Sequence, residues 1–138
     1  MAVLFNKAQR KNPRTKEVGW FPVVKSIKRV DEHEVARLVA DETTLNPMEA
    51  EMAVAQLEKV VLRLLQQGYT VKLGGWASFN LTVRAEGAAT EKECTSALIK
   101  QVRPHCRFAA RFLEQVQRTE FRPADSLKKK EKKEEPEG

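Results

Sequence analysis

The segment from Gly68 to Phe79, Gly-Tyr-Thr-Val-Lys-Leu-Gly-Gly-Trp-Ala-Ser-Phe, constrains the fold more than any other part of this chain. Gly68 suits the left-handed position that ends a helix. Residues 70–73 and 79–84 then alternate apolar and polar side chains, as half-buried strands do. The sequence therefore predicts a long helix that turns directly into strands. The residues that form the apolar face of this helix are Val54, Leu57, Val61, Leu64 and Leu65.

Capping patterns mark where the helices before this segment begin. Asp31 stands three residues before Glu34, so that each side chain can satisfy a backbone N–H at a helix start. Asn46-Pro47 is a stronger signal, because proline at the first helical position lacks the N–H that would go unpaired, and Glu49 completes a capping box. We therefore predict two consecutive helices before Gly68.

Two further elements are predicted after Phe79. Gly87-Ala88-Ala89 marks a reversal, and residues 95–102 are expected to form the returning strand. The last helix is predicted to be amphipathic, because three of its apolar residues lie four apart: Phe108, Phe112 and Val116. It should end before Pro123.

The N-terminal segment is predicted to be a basic β-hairpin. Residues 2–9 and 18–27 are rich in β-branched and aromatic side chains, and Asn12-Pro13 lies in the turn between them. Residues 1–30 carry eight Lys or Arg against the single Glu17, a charge of +7, whereas the whole chain carries +6. Such asymmetry favours a surface that faces a polyanion, although many charged faces are merely solvated.

Composition limits the classes of protein that this chain can belong to. Its 138 residues suffice for one domain with appendages, and no run approaches the roughly 18 apolar residues of a membrane span. The N-terminus lacks the pattern of a secretory signal, so the cytoplasm is the expected compartment. Cys94 and Cys106 should remain thiols there. No cofactor, membrane partner or small-molecule substrate is indicated.

The order of elements and the junction after the second helix resemble the bacterial histone-like HU/IHF family of DNA-binding proteins. The family has at this junction a hydrophobic strand, a glycine, an aromatic, a small residue, a polar residue and Phe. The corresponding residues here are Val71-Lys72-Leu73, Gly75, Trp76, Ala77, Ser78 and Phe79. The resemblance covers roughly residues 30–120 and implies an α+β fold. That fold has a helical pair, a three-stranded antiparallel sheet with an extended β-arm, and a C-terminal helix, here preceded by the extra hairpin.

The resemblance also implies a function. Members of the family are intertwined dimers whose β-arms contact DNA phosphates in the minor groove, often with a proline at the arm tip. We therefore expect a homodimer that binds and bends duplex DNA in the nucleoid with weak sequence preference. Glu86, Glu91 and Glu93 oppose the basic residues of this arm, and its expected tip, residues 87–90, has no proline. The residues that the resemblance assigns to DNA are Arg84, Lys92, Lys100, Arg103 and Arg107.

The N-terminal hairpin offers a substitute for the missing arm-tip proline. Pro13 lies in its turn, and we hypothesise that this turn contributes to DNA binding. The alternative is an ordinary turn whose charges face solvent. The other hairpin residues assigned to DNA are Arg10, Lys11, Arg14 and Lys16.

The second helix has more apolar surface than one short partner helix would be expected to cover. A second copy of the chain would cover it, and the alternative is that the N-terminal hairpin or the last helix does so. The residues outside its main face are Met48, Met52, Val60 and Leu62.

Other candidate sites are weaker. Cys94, His105 and Cys106 lack the usual spacing of zinc ligands, and no metal site is expected. No catalytic constellation is present, and His33 is expected to be exposed rather than catalytic. Trp20 and Trp76 could stack on bases, but Trp76 matches the family's core aromatic and should be buried. Trp20 should pack within the hairpin.

The predicted organisation has three parts: a basic hairpin over residues 1–29, an HU/IHF-like domain over residues 30–122, and a disordered charged tail over residues 123–138. The predicted function is non-enzymatic, architectural DNA binding. The alternative is an HU-like scaffold that binds a protein partner and has lost most of its DNA affinity.

Overall fold

The computed structural model describes residues 2–125, which divide into two units. The larger unit spans Val30–Val116, and the smaller unit combines the chain before Val30 with the chain after Val116. Most of the predicted disordered tail, from Ser126 onward, lies outside the described residues. Within the described chain, no helix combines the length and the apolar character needed to cross a membrane.

Two capped helices open the larger unit, as predicted. Helix α1 spans Glu32–Glu42, and its N-cap Asp31 accepts a hydrogen bond of 3.0 Å from the Glu34 N–H. Helix α2 spans Pro47–Gln66. Asn46 Oδ1 accepts from the Glu49 N–H at 2.9 Å, and Glu49 Oε2 accepts from the Asn46 N–H at 3.1 Å. The capping box is complete, so these short polar residues fix where α2 begins.

Gly68 ends α2 in the way the sequence predicted. Its φ is +86°, and its N–H donates to the Leu65 carbonyl at 3.0 Å, while the Tyr69 N–H donates to the Leu64 carbonyl at 3.0 Å. These two bonds form a Schellman motif, which satisfies carbonyls that the helix end leaves unpaired. The chain then enters the sheet within a few residues.

Three antiparallel strands and a short helix complete the larger unit. The strands are β3 (Val71–Leu73), β4 (Ala77–Ala85) and β5 (Ile99–Phe108), in the order β3-β4-β5, followed by α3 (Ala110–Gln117). The returning strand was predicted over residues 95–102, and this was wrong by several residues. Residues 96–98 form a 3₁₀ turn instead, and β5 begins at Ile99 because that residue pairs with Ala85, the last residue of β4.

The smaller unit is a three-stranded sheet built from both ends of the described chain. Strands β1 (Val3–Lys11) and β2 (Val18–Val24) form the predicted hairpin. Strand β6 (Phe121–Pro123) pairs in parallel with the start of β1, so the order is β2-β1-β6. The sequence had placed Pro123 and Ala124 in the disordered tail. The Ala124 N–H instead donates to the Phe5 carbonyl at 2.9 Å.

The core of the larger unit is thin. Ala36, Ala40 and Ala50 bring α1 and α2 into close contact, with Val54 packed against them. The other buried residues are Leu65, Val71 and Ala77. Apolar residues of α2 outside its main face remain open: Met48 is 73% exposed and Met52 is 66% exposed. Helix α3, which lies largely in this unit, therefore does not cover them.

We predict that Gly68→Ala lowers the free energy of unfolding by about 1–2 kcal/mol, because a left-handed backbone is strained for any residue with a Cβ. An added Cβ meets no atom within 4 Å, so the effect is confined to the backbone. Gly87→Ala is the matched control, since Gly87 is equally open and has no positive φ. Urea unfolding at one fixed protein concentration measures both. Equal stability of the two variants would contradict the assignment of Gly68 as a conformational requirement.

Candidate nucleic-acid interface

The register of β4 and β5 separates apolar from polar side chains. Residues that pair directly share a face of the sheet. One face carries five directly opposed pairs: Ala77 with Phe108, Phe79 with Cys106, Leu81 with Pro104, Val83 with Val102, and Ala85 with Ile99. Every side chain in these pairs is apolar or a thiol. This face is therefore suited to packing rather than to solvent.

The opposite face carries the charge, and we call it the basic face. Arg107 pairs with Ser78, Arg103 pairs with Thr82, and Arg84 pairs with Gln101. Lys72 of β3 pairs with Ser78 and so joins this face, as does His105 opposite Asn80. Strands β3, β4 and β5 contain no Asp or Glu. The sheet thus presents positive charge with no acidic neighbour on its own strands, which favours contact with a polyanion.

One arginine of the basic face is held in a fixed position. The Nε and Nη2 groups of Arg103 both donate to Gln101 Oε1, at 3.0 and 2.8 Å. The Gln101 amide is neutral, so it orients the guanidinium without neutralising it. Phosphate binding benefits from such orientation, because less side-chain freedom is lost when the contact forms.

Two of the arm cations predicted to bind DNA do not lie on the basic face. Lys100 occupies an irregularity in the pairing, because Arg84 pairs with Gln101 while Ala85 pairs with Ile99. Its Nζ lies 3.7 Å from Glu86 Oε2. Lys92 lies in the connection between β4 and β5, in a turn that contains Glu91 and Glu93. Acidic neighbours therefore offset both lysines, whereas Arg84, Arg103 and Arg107 are brought together.

The hairpin turn forms a second basic surface, in the smaller unit. Asn12 organises it: its Oδ1 accepts from the Arg14 N–H at 2.9 Å, and its carbonyl accepts from the Lys16 N–H at 2.9 Å. Lys16 has a φ of +56°, a conformation that costs a lysine about 1–2 kcal/mol. All five predicted hairpin residues are exposed here: Arg10, Lys11, Pro13, Arg14 and Lys16.

Comparison of the sequence with known protein families identifies the family of this chain. The family model HU-HIG, described as an HU domain fused to wHTH, Ig, or glycine-rich motif, matches residues 1–123. The chain belongs to this HU-HIG family. The match includes the N-terminal hairpin as well as the helices and the arm. No curated protein matches the chain in sequence.

Two solved structures share the fold. A candidate bacterial DNA-binding protein from Bacteroides vulgatus ATCC 8482 is 14% identical, with a TM-score of 0.60 over 90% of this chain. The match spans 49% of that protein, so this chain has about half its length. HU from Anabaena, in a cocrystal with DNA, is 18% identical, with a TM-score of 0.51. That match covers 64% of this chain and 99% of the HU chain, so about a third of this HU-HIG chain lies outside the likeness.

The aromatic residues at the HU junction pack less tightly than predicted. Trp76 was expected to be buried, yet it is 45% exposed. Its ring lies 5.9 Å from that of Phe112, which in turn stacks on Phe108 at 5.2 Å. A small cavity of about 160 Å³ adjoins Trp76 and Phe112. Trp20 was expected to pack within the hairpin and is instead 68% exposed. A single chain therefore leaves both indoles accessible.

The candidate metal ligands diverge. His105 pairs with Asn80 and Cys106 pairs with Phe79, so these neighbours point to opposite faces of the sheet. Within residues 2–125, no three potential ligands gather into a metal-binding group. His33 is exposed and lies against Glu51 of α2, so it bridges the two helices.

Sequence analysis missed two members of the basic face, Lys72 and His105. The signal was present, because Lys72 alternates with Val71 and Leu73, and His105 alternates with Pro104 and Cys106. For His105 what was lacking was the register of β5, which the predicted strand limits had displaced, and for Lys72 it was the pairing of β3 with β4.

We predict that replacing Arg84, Arg103 and Arg107 together with glutamine leaves the free energy of unfolding unchanged within about 0.5 kcal/mol, or raises it. All three side chains are exposed, and their like charges share one face. Val71→Ala is the positive control, since Val71 is buried on the same sheet and should lose about 1 kcal/mol or more. Chemical denaturation measures both. A comparable loss in the arginine variant would mean that these residues serve the fold.

Proposed function

We propose that this chain is a non-enzymatic, architectural protein that binds duplex DNA with low sequence specificity. The observation that carries the proposal is the basic face, on which Arg84, Arg103 and Arg107 meet without an acidic neighbour on the same strands. The HU protein of Anabaena, which shares the fold, occurs in a cocrystal with DNA. Membership of the HU-HIG family agrees with the same role.

Phosphate neutralisation is the proposed mechanism. Arginines on a sheet face can contact successive phosphates and release counterions, which supplies affinity without reading the bases. Three of the side chains among them add little sequence selection, because Ser78 and Thr82 are short and Gln101 is already engaged by Arg103. Low specificity follows from this composition.

We propose that the hairpin turn makes an auxiliary contact with DNA. The amount of DNA bending depends on whether this turn or the connection between β4 and β5 carries a proline. The connection between β4 and β5, residues 86–98, contains no proline and carries three glutamates. We therefore propose that this connection does not wedge between base pairs, and that bending is modest. Pro13 and the cations around it supply a rigid basic turn in its place.

The functional form is proposed to be a homodimer. The apolar face of β4 and β5 is open, with Val83 55% exposed and Val102 56% exposed. The single-chain core rests largely on small alanines, and a second copy of the chain would bury these surfaces in the simplest symmetric arrangement. We place this dimer on the nucleoid in the cytoplasm, where duplex DNA is available.

We predict that replacing Arg84, Arg103 and Arg107 with glutamine flattens the salt dependence of duplex binding. Each phosphate contact contributes about 0.9 to the slope of log K against log salt concentration, so the slope should fall by roughly 3 per chain. Replacing Lys11, Arg14 and Lys16 in the hairpin should flatten it further. Fluorescence anisotropy with a labelled duplex across a salt series measures the slope.

The matched control replaces Arg37, Lys59 and Arg63 with glutamine. These residues are exposed on α1 and α2, and their loss changes the net charge equally without touching the basic face. The control should keep most of the wild-type slope. Equal slopes for all variants would reject the assigned residues, and no duplex binding by the folded wild type at low salt would reject the function. The protein-partner interpretation would then be favoured.

We predict that the wild-type chain sediments as two chains at micromolar concentration and that Leu81→Glu shifts it toward one. The new charge would lie on the apolar face of the sheet and oppose its burial. Thr82→Glu is the matched control, because it places the same charge one residue away on the opposite face. A wild type that sediments as a single chain would contradict the dimer without reference to either variant.

A further inference from the structure

One face of the β2-β1-β6 sheet carries both aromatic and basic side chains, and we call it the aromatic face. The register of β1 and β2 places Trp20 opposite Gln9, Pro22 opposite Lys7, and Val18 opposite Lys11. The register of β1 and β6 adds Phe121 opposite Val3. Phe5, which pairs with Val24 on one side and Pro123 on the other, lies on the same face.

The aromatic face is open. Trp20 is 68% exposed and Phe121 is 53% exposed, which is unusual for two large aromatic rings on one small sheet. A shallow cavity of about 360 Å³ lies at one end of the face, lined by Phe5, Pro22, Val24 and Phe121. Phe21 lies on the other face of β2, where its ring packs over Gly19.

The edges of this sheet are poor sites for a partner strand. The Lys25 N–H donates to the Leu4 carbonyl and the Asn12 N–H to the Glu17 carbonyl, so the even-numbered residues of β1 bond to β2. Pro22, opposite Lys7, therefore points its backbone nitrogen toward the outer edge, where proline has no N–H to donate. Pro123 has the equivalent position on β6. A partner would therefore contact the face rather than extend the sheet.

Charge indicates what kind of partner fits this face. Lys7 and Lys11 lie on it, and none of its residues is Asp or Glu. An apolar protein surface would gain nothing from these lysines, whereas a polyanion that also exposes flat rings would use both features. Nucleic acid with unpaired bases has this chemistry, because bases stack on aromatic side chains while phosphates contact Lys and Arg.

We propose that the aromatic face binds single-stranded DNA, with bases stacked on Trp20 and Phe121 and phosphates near Lys7 and Lys11. The pair Gln9–Trp20 lies four residues along β1 from the pair Phe5–Val24, a spacing of about 13 Å, which leaves room for separate bases at the two ends. The choice of DNA rather than RNA rests on the proposed function. The site would hold strands exposed when a duplex opens.

The test uses Trp20 as its own probe. In full-length Trp76→Phe protein, Trp20 is the single tryptophan, and its fluorescence should be quenched saturably by an oligothymidine of about 20 nucleotides. Trp20→Phe keeps a ring and should bind a labelled oligothymidine nearly as the parent does. Trp20→Leu keeps an apolar side chain without a ring and should bind about 5- to 150-fold more weakly, the range expected for one lost stacking contact.

Duplex binding measured in the same samples separates this proposal from the proposed function. Trp20→Leu should leave duplex affinity unchanged, because stacked bases in a duplex cannot reach the ring. Absence of quenching, equal single-strand affinity of the Phe and Leu variants, or an equal loss of duplex affinity would each overturn the single-strand site. Quenching by oligothymidine together with no duplex binding by the parent would support the site and reject the duplex function.

Discussion

The pairing register of β4 with β5 is the constraint on which the rest of the larger unit depends. Because side chains alternate across a sheet, one alignment places the apolar pairs on one face and three arginines on the other. A slip of β5 by one residue would turn Arg103 and Arg107 onto the face that carries Leu81 and Val83, and its apolar side chains onto the other. The hydrophobic effect therefore fixes the position of the cations, although they contribute nothing to burial themselves.

The two units differ in where positive charge is concentrated and in which contacts order the backbone. In the smaller unit, the hairpin turn brings four cations together against the single Glu17, and Lys16 has a left-handed backbone there. The four are Arg10, Lys11, Arg14 and Lys16. In the larger unit, an N-cap on α1, a capping box on α2, a Schellman motif and close alanine contacts supply order at low side-chain cost. The helical pair is thus ordered by local contacts, whereas the hairpin turn concentrates positive charge around a residue with a left-handed backbone.

Short-range chemistry made much of the fold predictable. Asn46, Gly68 and the Asn12-Pro13 turn each act through bonds to residues a few positions away, and the structure has all three where the sequence indicated them. Features that depend on distant partners were missed. The start of β5 follows from its register against β4, and β6 exists only because β1 offers it an open edge. Burial of Trp20 and Trp76 was also misjudged, because burial depends on which surfaces meet.

The parallel pairing of β6 with β1 affects the order in which this chain can acquire its structure. The Val3 N–H donates to the Glu120 carbonyl at 2.8 Å, which joins the first strand to almost the last described residues. During synthesis from the N-terminus, α1, α2 and the three-stranded sheet of the larger unit can all form before Phe121 emerges from the ribosome. One edge of β1 stays unpaired until β6 has been synthesised. Strand β1 is thus completed only after the elements that follow it, and a ribosome that stalls before Glu120 would leave a nascent chain in which one edge of β1 is unpaired.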